Sequence, residues 1–471
     1  MPKATLILPS LNVGGYIGEC LESVRCQSLE DIEILCIDAG STDGTYEILQ
    51  EYAKRDSRIR LIHSEVKSYG HQVNLGLAMA QGEYVGIVET DDYVVPEMYE
   101  ELYQAATEQD LDFAKAGFDV FVTPSAGERY LLNYPMADCG QIISADYFLD
   151  RKLSQDIYIW NGLYKMSFLR KYNIHLNESP GAAFQDCGMR YMTDMNLTRG
   201  MFLDRSFYRY RRDNVASSTY SADCVRYNLE ECRYLRRQME KNGLQDDRRR
   251  AFAARESVMM ALEPYRTFRG CHDPGTDILP VLEAFREIIR KDRAEGLLRQ
   301  EDMLSEHWQE MRLFTEAPQA FESYIAINAQ DRYAPYRKFL GEMAKKEQII
   351  LFCAGNTARY ALCFMRLNGI DTVQAVCDNN SALWGKKYYG YEVLPPQEAA
   401  RRYAKAHYLI ANTYRAAEIK KQLLSIGIQE TDLSVYPLPL RPMESTNCFL
   451  KIYDTYDPDE NTTGFETGPR Q

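Results

Sequence analysis

The chain has 471 residues, 45% hydrophobic and 26% charged, a composition that excludes a disordered polymer and a length that exceeds one hydrophobic core, so about three folded units are expected. Its 55 Lys and Arg against 68 Asp and Glu give a net charge of −13, which repels polyphosphate unless a cation intervenes and argues against nucleic acid as a partner. No apolar run approaches the roughly 18 residues that span a bilayer, and Leu6-Ile7-Leu8 is too short for a signal-peptide core, so the expectation is a cytoplasmic protein.

Thr5-Leu6-Ile7-Leu8 and Ile34-Leu35-Cys36-Ile37 read as parallel strands buried on both faces, and between them Ile17, Cys20, Leu21 and Val24 mark one helical face. The alternation continues with a helix around Ile48, Leu49 and Tyr52, a strand at Arg58 to Ile62, a helix with Val73, Leu77 and Ala80, and a strand at Tyr84 to Val88. Such alternation predicts an α/β domain with a parallel sheet. From about Tyr220 to Lys346 the sequence reads as helical, with few strand-like runs. Ile349-Ile350-Leu351-Phe352 then opens a second α/β pattern: a helical face of Ala358, Ala361, Leu362 and Met365, strands at Val373 to Cys377 and Tyr408 to Ala411, and a helix with Ile419, Leu423 and Ile426 stopped by Gly427. The expected organisation is a first domain over 1–220, a helical segment over 221–346, a second α/β domain over 347–440 and a partly disordered, acidic tail over 441–471. The twelve cysteines form no Cys-x-x-Cys pair, so they read as reduced thiols and not as a zinc ribbon or a disulfide frame.

Ligands in open α/β sheets bind beyond the carboxyl ends of the strands, and in the first domain those ends are polar: Pro9-Ser10-Leu11-Asn12, Asp38-Ala39-Gly40-Ser41-Thr42-Asp43-Gly44 and Glu89-Thr90-Asp91-Asp92. Carboxylates gathered at one edge repel each other unless a cation joins them, and an all-oxygen set suits magnesium or manganese. Helix capping is the plainer alternative; it accounts for Asp43 but not for Glu89, Asp91 and Asp92 together.

In this order the three clusters resemble the family 2 glycosyltransferases of the glycosyltransferase A fold, over about the first 220 residues. The resemblance implies a metal-dependent, inverting transfer of sugar from a nucleotide-sugar donor. It places Pro9, Ser10, Asn12, Asp38, Asn74 and Asp91 on the donor nucleotide and Asp92 on Mn2+ or Mg2+; His71, in the segment Ser68-Tyr69-Gly70-His71-Gln72, is a candidate replacement contact where the chain departs from the family, with an ordinary surface or core histidine as the alternative. The chain departs from the family pattern at Ala39, where a second Asp is frequent, and at Val73, where Arg precedes the Asn matched by Asn74. Trp160-Asn161-Gly162-Leu163-Tyr164-Lys165 resembles the acceptor-side segment, and Phe184-Gln185-Asp186 the Glu-Asp motif with Gln185 in the Glu position. Trp160, Asn161 and Gln185 would then face the acceptor, and Asp186 would be the general base that direct displacement requires. Arg212, in a basic closing segment, would meet the diphosphate.

Phe352-Cys353-Ala354-Gly355-Asn356-Thr357-Ala358 follows a strand and opens a helix, but keeps one of three fingerprint glycines. It resembles the Rossmann-like domains appended to bacterial polysaccharide-synthesis enzymes, with Gly355 and Asp378 as a second nucleotide site. Expected partners are a nucleotide-sugar donor and a glycan or lipid-linked acceptor in cell-surface glycan synthesis. Peripheral contact with the inner face of the membrane and a homo-oligomer stay open. Two other readings also remain: an oxidoreductase or epimerase centred on the C-terminal domain, and an inactive sugar-nucleotide-binding scaffold.

Overall fold

Strands that must be buried on both faces can spare no solvent-facing side, and three of the first four obey this. In the computed structural model, which describes residues 2–122, 130–134, 136–152, 158–211, 214, 221–271, 278–367, 369–412 and 415–436, β1 (Ala4–Ser10), α1 (Ile17–Arg25), β2 (Ile32–Asp38), α2 (Thr45–Arg55), β3 (Ile59–His63), α3 (Tyr69–Met79) and β4 (Tyr84–Ile87) alternate as the periodicity predicts. Every residue of β1, β2 and β4 is buried, and α1 buries the stripe Ile17, Cys20, Leu21 and Val24. The strands pair parallel in the order β3-β2-β1-β4. The chain therefore steps outward from β1 to β3 and returns on the other side of β1, which leaves a crevice beyond the carboxyl ends of β1 and β4.

The sheet then changes character. After β5 (Tyr93–Val94) and α4 (Met98–Glu108) come β6 (Phe113–Val122), β7 (Tyr130–Tyr134), α5 (Ala145–Leu149), β8 (Gly162–Lys165), α6 (Met166–Lys171), α7 (Asp186–Asn196) and β9 (Gly200–Arg211). The full order is β3-β2-β1-β4-β8-β6-β9-β5, with β7 paired to β6. Strand β8 runs antiparallel to β4 and β6, and β5 antiparallel to β9. Helices α8 (Cys224–Lys241), α9 (Asp247–Cys271), α10 (Leu279–Ala294), α11 (Ser305–Glu316) and α12 (Pro318–Ala344) follow, the expected helical segment. Helix α8 packs on α7 and α9. Among the described residues no helix is long and apolar enough to cross a membrane.

The chain divides into two compact units, residues 1–119 with 133–324 and residues 120–132 with 325–471. The second unit carries β10 (Ile349–Phe352), α13 (Asn356–Leu367), β11 (Val373–Cys377), β12 (Lys387–Tyr388), β13 (Tyr391–Leu394), α14 (Pro396–Arg402), β14 (His407–Ile410), α15 (Ala416–Ser425) and β15 (Leu433–Val435). Its strand order is β12-β13-β11-β10-β14-β15, all parallel except β12. Gly427, at φ +96°, ends α15 as expected. Ile350, Phe352, Ala375, Cys377, Tyr408, Ile410, Ile419 and Leu423 form a core of its own. The tail beyond 436 lies outside the described residues. The described cysteines are free thiols, and Cys20, Cys36, Cys224, Cys232 and Cys377 are buried.

Because Leu423 is fully buried in the second core, Leu423→Ala is expected to destabilise that unit by about 2–5 kcal/mol. Urea unfolding should then show an early transition that leaves ligand binding by the first unit intact; a single later transition would contradict separate cores.

Candidate active site

The carboxyl ends of β1, β2 and β4 meet through side chains that bridge them. Ser10 lies opposite Asp38 in the β1–β2 register. Thr90 Oγ1 donates to the Pro9 carbonyl at 2.8 Å, and Gln72 Nε2 donates to the carbonyls of Ser10 and Ile37 at 2.9 and 2.7 Å. Asn12, at φ +54°, donates its N–H to Ser41 Oγ and accepts from the Thr42 N–H, both at 2.9 Å. The loop after β2 is thereby held against the loop after β1.

Within that loop the two aspartates have different work. Asp43 accepts from the Thr45 hydroxyl and N–H at 2.6 and 3.1 Å and from the Gly14 N–H at 2.8 Å. It thus caps α2. Burial pushes its carboxyl up, but these bonds outweigh burial and hold it below the usual range. Asp38 is 1% exposed; its Oδ2 accepts from the N–H groups of Gly40 and Ser41, while its Oδ1 is buried with no hydrogen-bond partner.

The turn after β4 concentrates charge. Asp92 is 1% exposed; its Oδ1 accepts the Arg211 N–H at 2.7 Å and its Oδ2 is buried without a partner. Asp91 is half-buried, and its carboxylate accepts from Asn214 Nδ2 at 2.8 Å. Arg211 closes the cluster: Nε donates to the Asp91 carbonyl at 2.8 Å and Nη2 pairs with Glu19 at 2.7 Å. Glu89 accepts from the Tyr69 hydroxyl, and its N–H donates to Tyr208 Oη at 2.9 Å. Burial first, then the charges of Asp91 and Asp186, push Glu89 up to about 8 against the Tyr69 bond. Burial and Asp91 likewise raise Asp92 well above the carboxylate range.

Asp186 joins this cluster from the other side. It opens α7 two residues after Phe184, whose φ of +64° is strained for a bulky residue. Burial raises its carboxyl, opposed by Arg190 and by the N–H groups of Asp186 and Cys187. Its charge is felt by both Glu89 and Tyr69. The crevice therefore holds Asp38, the Glu89–Asp92 turn and Asp186.

Residues 5–176 match the model of the family described as Glycosyl transferase family 2. Among curated proteins, the chain is 29% identical over 218 residues to the uncharacterized glycosyltransferase EpsJ of Bacillus subtilis, covering 45% of this chain and 62% of that one. It is 31% identical over 221 residues to the uncharacterized glycosyltransferase YibD of Escherichia coli, covering 46% and 63%. The chain thus spans less than two thirds of the length of these two relatives. S. aureus TarS 1–349 in complex with UDP-GlcNAc superposes with a TM-score of 0.50 at 17% identity, over 70% of this chain and 91% of that one. Residues 5–176 thus form a region similar to glycosyl transferase family 2, and the first unit has the expected glycosyltransferase A fold.

Within the first unit the remaining expected residues take varied places. His71 Nδ1 lies 2.9 Å from Glu178 Oε2. Asn74 exchanges bonds with Leu176, Nδ2 to its carbonyl and Oδ1 from its N–H, each at 2.9 Å. Both therefore fasten α3 to the segment 176–178. Gly70 permits this approach, since a Cβ there would fall 1.8 Å from the Asn177 carbonyl oxygen. Trp160 is 4% exposed and stacks on Tyr158 and Tyr208 at 4.5 and 4.2 Å between centroids. It supports the acidic turn through Tyr208 and is not presented to an acceptor. Asn161 is buried and donates to the Ala116 carbonyl at 3.1 Å; its Oδ1 has no partner. Gln185 is buried and donates to the carbonyls of Ser179 and Gly181, so it shapes the loop that presents Asp186. Arg212 lies outside the described residues.

In the second unit, Gly355 and Asp378 line one cavity of about 370 Å³ with Asn379, Asn412, Arg415 and Gln422. Both Asp378 carboxylate oxygens are engaged, by the N–H groups of Ala354 and Asn380 at 2.7 Å. Residue reasoning missed Arg211, Tyr69 and the buried state of Glu89. Arg211 sits one position before the expected Arg212, and the strand phase of β9 turns Arg211 inward.

Removing Arg211 leaves the Glu19 and Asp91 groups without their cation. Arg211→Met is expected to cost about 3 kcal/mol in urea unfolding, and Arg211→Lys to recover only part of it because an ammonium cannot donate along both directions of the guanidinium fork.

Proposed function

We propose that this chain transfers a sugar, with inversion, from a nucleotide-sugar donor to a hydroxyl of a glycan or lipid-linked acceptor in cell-surface polysaccharide synthesis. The observation that carries the reading is the convergence, at the topological switch point of one sheet, of Asp38, the Glu89–Asp92 turn and Asp186. Asp38 Oδ1, without a hydrogen-bond partner among the described residues, would accept from the donor's nucleoside. Among the described residues no three His, Cys, Asp or Glu side chains form a ready cation cage. That fits a magnesium or manganese ion held by one or two carboxylates and completed by substrate phosphates. The partly exposed Asp91 and the unpartnered Oδ2 of Asp92 would hold it, and when bound the ion would neutralise the departing diphosphate.

Asp186 takes the proton of the acceptor hydroxyl as that oxygen attacks the anomeric carbon and the bond to the diphosphate breaks. A carboxyl raised by burial is a better base than an exposed one near neutral pH. Single displacement at that carbon inverts its configuration. Because S. aureus TarS shares the fold and is known in complex with UDP-GlcNAc, UDP-GlcNAc is the first donor to test.

With manganese present, a nucleotide sugar is expected to raise the thermal midpoint of the wild type, and Asp92→Ala to lose this response. Asp186→Asn should still bind donor while turnover falls about 10²–10⁴-fold. Stabilisation by NAD with no response to any nucleotide sugar would move the function to the second unit, and donor binding without hydrolysis or transfer would favour an inactive scaffold.

A further inference from the structure

The first turn of α7, which carries Asp186, is pressed against α8. A Cβ on Gly188 would lie 2.6 Å from Tyr234 Cε1 and 3.3 Å from Glu231 Oε2; Glu231 and Tyr234, three apart, share one face of α8. Glu231 is 1% exposed. Its Oε1 accepts from Asn177 Nδ2 at 2.8 Å, and its buried Oε2 makes no bond of ordinary geometry among the described residues, although the Gly188 N–H favours the charged carboxylate. A buried carboxylate oxygen so weakly satisfied is costly almost anywhere. It costs least at the amino end of a helix, where N–H groups and the helix dipole favour negative charge.

Asn177 links Glu231 to the donor side. It lies between Leu176 and Glu178, the residues bound by Asn74 and His71 of α3, and its carbonyl is the atom that Gly70 accommodates. One connected path therefore runs from α3 through the segment 176–178 to Glu231 and the first turn of α7.

We propose that Glu231 is a positioning residue for Asp186: its carboxyl group, tied to Asn177 and pressed against Gly188, seats the first turn of α7 and so fixes how Asp186 meets the acceptor's hydroxyl. This rests on the reading of Asp186 as the base. The groups around the pair are Cys187 and Arg190 on α7, Tyr234 and Arg237 on α8, Glu178 before α7, Glu256 on α9, and Glu89 and Tyr69 across the crevice. Burial, opposed by the Asn177 bond and reinforced by Asp186, pushes Glu231 up to about 8. An acid raised in the folded state binds its proton more tightly when folded, so its stabilisation is complete below the ordinary value of 4.5 and is lost as pH rises through about 8.

The test is the thermal midpoint from pH 5 to 9 of the wild type, Asp186→Asn, Glu231→Gln and the double variant. The midpoint of the wild type should fall as pH rises, Glu231→Gln should fall less, and the effect of Asp186→Asn should shrink in the Glu231→Gln background. Additive effects at every pH would overturn the proposal whatever the donor turns out to be. In manganese-dependent hydrolysis of UDP-GlcNAc, Glu231→Gln should lower kcat about tenfold, with KM within twofold. Asn177→Ala, which removes the bond to Oε1, should give the same split if Glu231→Gln folds poorly. Should Asp186→Asn hydrolyse like the wild type, the base reading fails and this proposal falls with it. Should Asp186→Asn be inactive while Glu231→Gln leaves kcat and midpoint coupling unchanged, the Glu231 proposal alone fails.

Discussion

Gathering carboxylates at the end of a sheet is electrostatically unfavourable, and the structure of the first unit is organised around making it tolerable. Asp38, Glu89, Asp92 and Asp186 sit close to buried backbone, where an isolated charge costs several kcal/mol. The protein offsets this with directed N–H groups, from Gly40 and Ser41 to Asp38 and from Arg211 to Asp92, and with the Arg211 guanidinium between Asp91 and Glu19. The compensation is incomplete. One oxygen each of Asp38 and Asp92 stays unpartnered, and Glu89 and Asp92 hold their protons more tightly than exposed carboxyls do. A site left in this condition is short of positive charge and of hydrogen-bond donors, and a nucleotide sugar bound with a divalent cation supplies both.

The parallel half of the first sheet was legible because burial on both faces leaves a sequence mark. Thr5 to Leu8 and Ile34 to Ile37 are unbroken apolar runs, and Ile17, Cys20, Leu21 and Val24 are the residues that α1 buries. The second unit was legible for the same reason, down to Ala358, Ala361, Leu362 and Met365, all fully buried. Strands β6 to β9 were not. Strand β8 runs antiparallel to β4 and β6 and β9 antiparallel to β5, β9 alternates irregularly between buried and exposed positions, charged residues such as Lys115 and Asp119 interrupt β6, and no uninterrupted apolar run announces them.

The site shows the same division. Positions fixed by the turn after a strand, such as Asp38 and the Glu89–Asp92 turn, could be located because sheet topology dictates where strand ends gather. Positions that depend on packing between distant elements could not. Trp160 reads equally well as a sugar platform or as a core aromatic until Tyr158 and Tyr208 are seen stacked on it. Gln185, at a position where the family has Glu, is committed to the loop at Ser179 and Gly181. Its uncharged amide adds no further acid to a crevice already crowded with them.

The helical segment is part of this arrangement and cannot be regarded as an appendage to the region similar to family 2. Every residue of α7 from Gly188 to Asn196 is buried, which requires cover on all sides of the helix that begins with Asp186. Part of that cover is α8, from Cys224 to Lys241, and part is α9, whose Glu256 pairs with Arg190 at 3.3 Å. The family match ends at residue 176, before Asp186 is reached. Asp38 and the Glu89–Asp92 turn therefore lie within the matched region. The burial and proton affinity of Asp186 depend on helices that lie beyond it, so on the proposed reading acceptor chemistry can diverge through those helices while the nucleotide crevice stays the same.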